Sequence, residues 1–170
     1  MRLPLAMILA VGLAAPALAE CPVGEIEKAL AAPLDGLKMT EKPVTDIQST
    51  EGGVWRIYKD AAGTVETLIR LDGGESGMNE YRLSIVSPGA YGISALRVDY
   101  LRHAFVDNGG PNGTARRSTS FYYFCDGKVF LPPPEYGTAA LAGYTEEAAA
   151  NQKRILLDKD VADLVKDLER

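Results

Sequence analysis

The chain is predicted to be an α+β domain: an antiparallel β-meander of about six or seven strands, packed by a long C-terminal helix. Three observations predict it. Between about Val44 and Leu131, apolar residues alternate with polar ones and turn residues interrupt them about every eight to twelve positions. Near the C-terminus, Leu157, Val161, Leu164, Val165 and Leu168 fall at helical spacing and form one apolar stripe. Two cysteines, Cys21 and Cys125, are an even count in a chain that reads as secreted, and so predict one disulfide.

Taken in order, the mature chain begins with a short helix, because Val23, Ile26 and Leu30 recur at helical spacing, Pro22 suits a first turn and Pro33 ends it. Residues 34–43 read as a connecting loop. Trp55 and Ile57 alternate with Arg56 and Tyr58, and residues 60–63 make a turn. Val65, Thr67, Ile69 and Leu71 form a second alternating run, and the glycines of residues 73–77 are expected to supply a turn with positive φ. Tyr81, Leu83 and Ile85 form a third run, Pro88-Gly89 breaks it, and a strand is expected from Ile93 to Ala104. After a glycine-rich loop over 106–117, Ser118 to Cys125 reads as a strand, with Asp126-Gly127 as a type I′ hairpin turn into Lys128 to Leu131. Pro132-Pro133-Pro134 stops the sheet, and Thr145 is the expected N-cap of one long helix, or two consecutive ones, reaching Glu169.

Residues 1–19 read as a secretory signal peptide: Arg2 is a short basic start, Leu3 to Pro16 an apolar run, and Ala17-Leu18-Ala19 a small-x-small cleavage pattern. That run is too short to span a bilayer, and no second one is long enough. Glu20 occupies the place where a lipoprotein signal needs a small residue. The expected product is a single domain, residues 20–170, in an oxidising compartment, most simply a bacterial periplasm. Loss of residues 1–19 removes one positive charge, Arg2, and no negative one, so the formal charge moves from −5 to −6. Such an acidic chain, with one short basic pair at Arg116-Arg117, lacks the electrostatic footprint of a nucleic-acid binder. The disulfide would close a loop of roughly 105 residues, worth about 4–5 kcal/mol in the chain-entropy model.

The residues that could carry chemistry are few. His103 is the one histidine, and Asp99, four residues before it on the expected strand, would lie some 13 Å away at roughly 3.3 Å per residue. Gly74-Glu75-Ser76-Gly77 departs from G-x-S-x-G at Met78 and falls between two strands, so it reads as a hairpin turn rather than a nucleophile elbow. No metal-ligand set and no cofactor motif is present, so no catalytic residue, metal or cofactor is assigned. Carboxylates such as Glu75, Glu80 and Asp99, or His103, would serve the alternative reading, a hydrolase of envelope glycans or esters. On the 118–125 strand, Phe121 and Tyr123 share one face while Tyr122 and Phe124 share the other; one pair is core, and the second is either covered or exposed.

Tyr123-Phe124-Cys125-Asp126-Gly127 is similar to a strand of the small periplasmic lysozyme inhibitors, which are β-rich and disulfide-bonded. Ser76-Gly77 with Tyr81 resembles their S-G-x-x-Y loop, with one residue more between glycine and tyrosine. The likeness covers a small part of the chain, the C-terminal helix does not belong to the pattern, and no family is assigned on it. The expectation is a non-enzymatic protein that binds an envelope protein or ligand, with an inhibitor of a cell-wall hydrolase as its most concrete form. Ser76, Tyr81, Tyr122 and Phe124 are the candidate partner-binding residues.

Overall fold

The structure, a computed structural model, describes residues 21–47, 51–101, 113–131, 137–166 and 168. The predicted leader, His103 and the triple proline lie outside the described residues. One seven-stranded sheet runs β1-β2-β3-β4-β5-β6-β7 in sequence order, every neighbouring pair antiparallel. Its strands are β1 (Lys38–Pro43), β2 (Gly53–Lys59), β3 (Val65–Gly74), β4 (Gly77–Ser87), β5 (Ala90–Tyr100), β6 (Thr114–Cys125) and β7 (Lys128–Phe130). Helix α1 (Val23–Ala31) precedes the sheet, and α2 (Gly137–Leu156) and the one-turn α3 (Ala162–Val165) follow it. Cys21 and Cys125 form the expected disulfide, with Cα atoms 5.7 Å apart.

Alternation divides the sheet into two faces. On one face Trp55, Ile57, Leu68, Leu83, Tyr91, Ile93, Tyr122 and Phe124 are buried in a single cluster. Ala148, Ile155 and Leu156 of α2, with Val161, Val165 and Leu168 beyond it, belong to the same cluster. Tyr91 and Phe124 stack there with ring centroids 4.9 Å apart. The hydroxyls of three sheet tyrosines meet three polar side chains of α2: Tyr122 donates to Glu147, Gln152 donates to Tyr91 and Arg154 donates to Tyr81.

The opposite face carries α1. Ile26 and Leu30 are buried against β5 at Gly92, where a Cβ would stand 2.4 Å from Ile26 Cγ2 and 2.8 Å from Leu30 Cδ1. Arg82 of β4 donates from Nη2 to the carbonyls of Ala29 and Ala32, satisfying the C-terminal end of the helix with a cation. Because no side chain fits between β5 and α1, Gly92→Ala is expected to cost about 1–3 kcal/mol, read as a lower urea midpoint. A midpoint equal to that of the unsubstituted chain would mean α1 does not rest on this strand.

Six expectations need correction. β6 begins at Thr114, inside the expected 106–117 loop, and Leu68 rather than Ile69 of β3 joins the main cluster. Residues 38–43 are a strand, not a loop: β1 is an edge strand whose six residues are all exposed, so it has no alternation to read. Its Pro43 is tolerated because an edge residue need not donate to a ladder. β5 begins at Ala90 and ends at Tyr100, three residues short of His103. The glycines of the β3–β4 turn do not have positive φ. Gly74 and Gly77 instead pair with each other as strand ends, and a Cβ on Gly77 would stand 2.2 Å from the Val98 carbonyl oxygen, so closeness rather than torsion demands glycine there.

The last concerns the C-terminal helices. No single long helix reaches residue 169. Helix α2 starts eight residues before Thr145, whose hydroxyl lies within the helix and donates to the Leu141 carbonyl, so Thr145 is not an N-cap. It stops at Leu156, where Asp158 accepts from the Asp160 amide and turns the chain before α3. Of the predicted stripe, Val161, Val165 and Leu168 are buried, whereas Leu157 is 68% exposed. By contrast the Asp126-Gly127 turn has positive φ at both residues, 52° and 70°, as a type I′ hairpin requires.

Candidate functional site

The cluster face changes character along the strands. Its row Leu68–Leu83–Ile93–Tyr122 is wholly buried. The next row, Trp55–Arg70–Tyr81–Ala95–Ser120, mixes polar and apolar side chains, and the row beyond it, Asp72–Asn79–Arg97–Ser118, is entirely polar. The last row pairs Gly74 with Gly77, and Asp99 with Arg116. The polar rows open as a trough at one end of the sheet. Asp72, Ser76, Asn79, Arg97 and Asp99 border a cavity of about 380 Å³. Asn79 and Arg97 also border a second cavity of about 310 Å³, walled by Ser118, Ser120 and, from α2, Glu147 and Asn151.

The β3–β4 hairpin tip stands at this end. Its turn is only Glu75-Ser76, both exposed, on arms of 10 and 11 residues. Neighbouring chain braces it: the Tyr100 amide donates to the Ser76 carbonyl at 2.9 Å, the Leu101 amide to Gly113 at 3.1 Å, and the Gly73 amide to Gly52 at 3.1 Å. Ends of β2, β3, β5 and β6 therefore gather here, while the turn 60–63, Gly89 and the disulfide lie at the other end.

A buried ion network underlies the trough. Arg70, 5% exposed, reaches Asp72 at 2.8 Å, Asp46 at 3.1 Å and Asp158 at 2.6 Å. Its guanidinium also lies 5.8 Å from the Trp55 ring centre. Burial acts to lower the Arg70 pKa, but the hydrogen bonds and charges of Asp72 and Asp46 outweigh it and hold the group above its ordinary value. At the rim, Arg97 Nε donates to Asp99 at 2.9 Å.

Of the four predicted binding residues, Ser76 alone is exposed at the trough. Tyr81 borders the second cavity but is largely buried, and burial raises its pKa while its hydroxyl accepts from Arg154. Tyr122 and Phe124, 2% and 1% exposed, are core rings and present no surface to a partner. The more exposed pair is Phe121, 48% exposed, and Tyr123, whose hydroxyl donates to Glu27 of α1. These two line an apolar cavity of about 430 Å³ beside Leu30 and Ala31, on the face opposite the trough.

Of the carboxylates named for a hydrolase, Glu80 and Asp99 are not brought together, and Glu75 stands exposed on the hairpin tip. Glu80 and Asp99 stand on opposite faces, because Glu80 pairs with Leu96 whereas Asp99 pairs with Gly77 in the row beyond Asn79. Asp72 and Asp99 do border one cavity, but each is ion-paired, to Arg70 and Arg97. Asn79, Arg97 and Ser118 were missed by the sequence reading; their signal was the continuation of an apolar alternation into polar residues on the same parity. Among the described residues no group of three or more His, Cys, Asp or Glu side chains is placed to hold a metal ion, and no helix is long and apolar enough to cross a membrane. No family model, curated protein or solved structure matches the chain.

Burial raises the Tyr122 pKa from 10.0 to about 12, and Glu147, accepting from its hydroxyl, adds to the shift. The folded chain thus holds the tyrosyl proton more tightly than the unfolded one. The stabilisation is complete below pH 10 and is lost as the pH rises toward 12, about 2–3 kcal/mol in all. Denaturation curves should show this alkaline loss reduced in Tyr122→Phe; an identical loss in both chains would assign it elsewhere.

Proposed function

We propose that this is a secreted, periplasmic, non-enzymatic protein that binds another envelope component through the open end of its sheet. An inhibitor of a cell-wall hydrolase is the most concrete form of that reading. The observation that carries it is the exposed Glu75-Ser76 tip, braced on long hairpin arms beside an open polar cavity. A tip of that shape can enter a partner's cleft with little loss of conformational freedom, since its arms are already ordered. The leader pattern of residues 1–19 and the disulfide are in keeping with an oxidising compartment. In this reading the C-terminal helical segment covers the apolar face, its contacts to Tyr81, Tyr91 and Tyr122 keeping the sheet in shape behind the tip.

The test uses the oxidised chain as bait in an envelope extract, with crosslinking. A specific partner should be retained by the unsubstituted chain and lost with Ser76→Arg, while the circular dichroism of the two stays the same. Equal retention by both chains would remove the tip from the binding surface. Tyr81 is unsuited to this test, because it is buried and its loss would disturb α2.

A further inference from the structure

We propose that the polar trough between the sheet and α2 is a binding site for a neutral oligosaccharide bearing hydroxyl and amide groups. This goes beyond the capture of a partner by the Ser76 tip and concerns the groups deeper along the same end of the sheet.

The ligand class follows from what the protein already satisfies. Among the described residues, every carboxylate lining the two cavities has a partner: Asp72 is held by Arg70, Asp99 by Arg97, and Glu147 by the Tyr122 hydroxyl. An anionic ligand would meet those three carboxylates, and a cationic one would meet Arg97, which borders both cavities. Among the described residues, no hydrogen bond engages the side-chain amides of Asn79 and Asn151 or the Ser118 hydroxyl. The side chains without any hydrogen bond are therefore neutral ones, which both donate and accept, and the cation beside them, Arg97, is held to Asp99. An apolar ligand would strip them of water without replacing its hydrogen bonds, which disfavours it.

Spacing narrows the class further. Asp72, Asn79, Arg97 and Ser118 stand at paired positions on four adjacent strands, so polar groups recur about every 4.8 Å across the sheet. Asn151 of α2 faces the same space from the other wall. A chain of sugar rings presents hydroxyl and amide groups at a comparable interval, with both faces of the chain available to the two walls. An extended peptide also carries amides, but it pairs with a sheet at its edge strand, and the trough lies on the face, across β3 to β6.

Titration of the oxidised full chain with chitotetraose, followed by calorimetry and by NMR shifts, tests this. Saturable binding is expected, weakened at least about tenfold by Asn79→Ala combined with Ser118→Ala. Phe121→Ala, on the opposite face, should bind as the unsubstituted chain does. Asn151→Ala, on α2, supplies a second variant should the double one unfold, and should also weaken binding. Absence of saturable binding, binding indifferent to these trough substitutions, or binding of an alanine tetrapeptide in place of the sugar would each overturn the proposal. Partner capture sensitive to Ser76→Arg is a separate readout, so either reading can fail while the other stands.

Discussion

Asp158→Ala is expected to destabilise the protein by about 3–5 kcal/mol, because it leaves the buried Arg70 guanidinium without its closest carboxylate. Asp158 is 4% exposed and Arg70 5%, so water cannot readily replace the lost contact. The neighbouring Asp46→Ala gives the contrast. Its side chain is 53% exposed, and an exposed ion pair contributes at most about 1 kcal/mol. Urea denaturation of the two variants side by side measures the difference. Comparable losses would mean that the network behaves as a surface salt bridge. The consequence reaches the trough, since Arg70 also holds Asp72, which borders the cavity.

Replacing both cysteines with serine is expected to cost about 4–5 kcal/mol, the loop-closure entropy of a crosslink spanning 104 residues. The physical link is between α1 and the last long strand. Cys21 lies two residues before α1 and Cys125 ends β6, so the bond fixes α1 over Gly92. Thermal unfolding of the oxidised chain, the reduced chain and the double-serine variant should place the last two together, well below the first. Coincident transitions for all three would mean that α1 holds its place without the bond.

The strands β2 and β4 were legible because each buries chiefly one face, which puts apolar residues at every second position. β3 instead buries Thr67 and Ile69 on one face and Leu68 and Arg70 on the other, so its apolar run did not say which face meets the main core. β1 was not legible, since nothing buries it and Lys38 to Pro43 carry no pattern. The start of α2 was hidden for a related reason: Thr145 looks like a cap, but the helix already runs through it and spends the hydroxyl on Leu141. The break at Leu157-Asp158 interrupts a stripe that reads as continuous, and only the burial of Asp158 against Arg70 explains why the chain turns there. Parity correctly separated Tyr122 and Phe124 from Phe121 and Tyr123, but it cannot say which pair is buried. The trough depended on register. Asp72, Asn79, Arg97 and Ser118 are far apart in sequence, and their alignment on one face exists only once four strands are paired.

Photo-crosslinking from the two ends of the sheet tests the central claim most directly. Benzoylphenylalanine replaces Ser76 in one chain and Ala62, in the exposed β2–β3 turn at the opposite end, in another. Irradiation in cells that secrete each chain is expected to give a discrete adduct from position 76 and none from position 62. Adducts of equal yield from both ends, or none from position 76 in a folded and oxidised chain, would contradict binding through the tip.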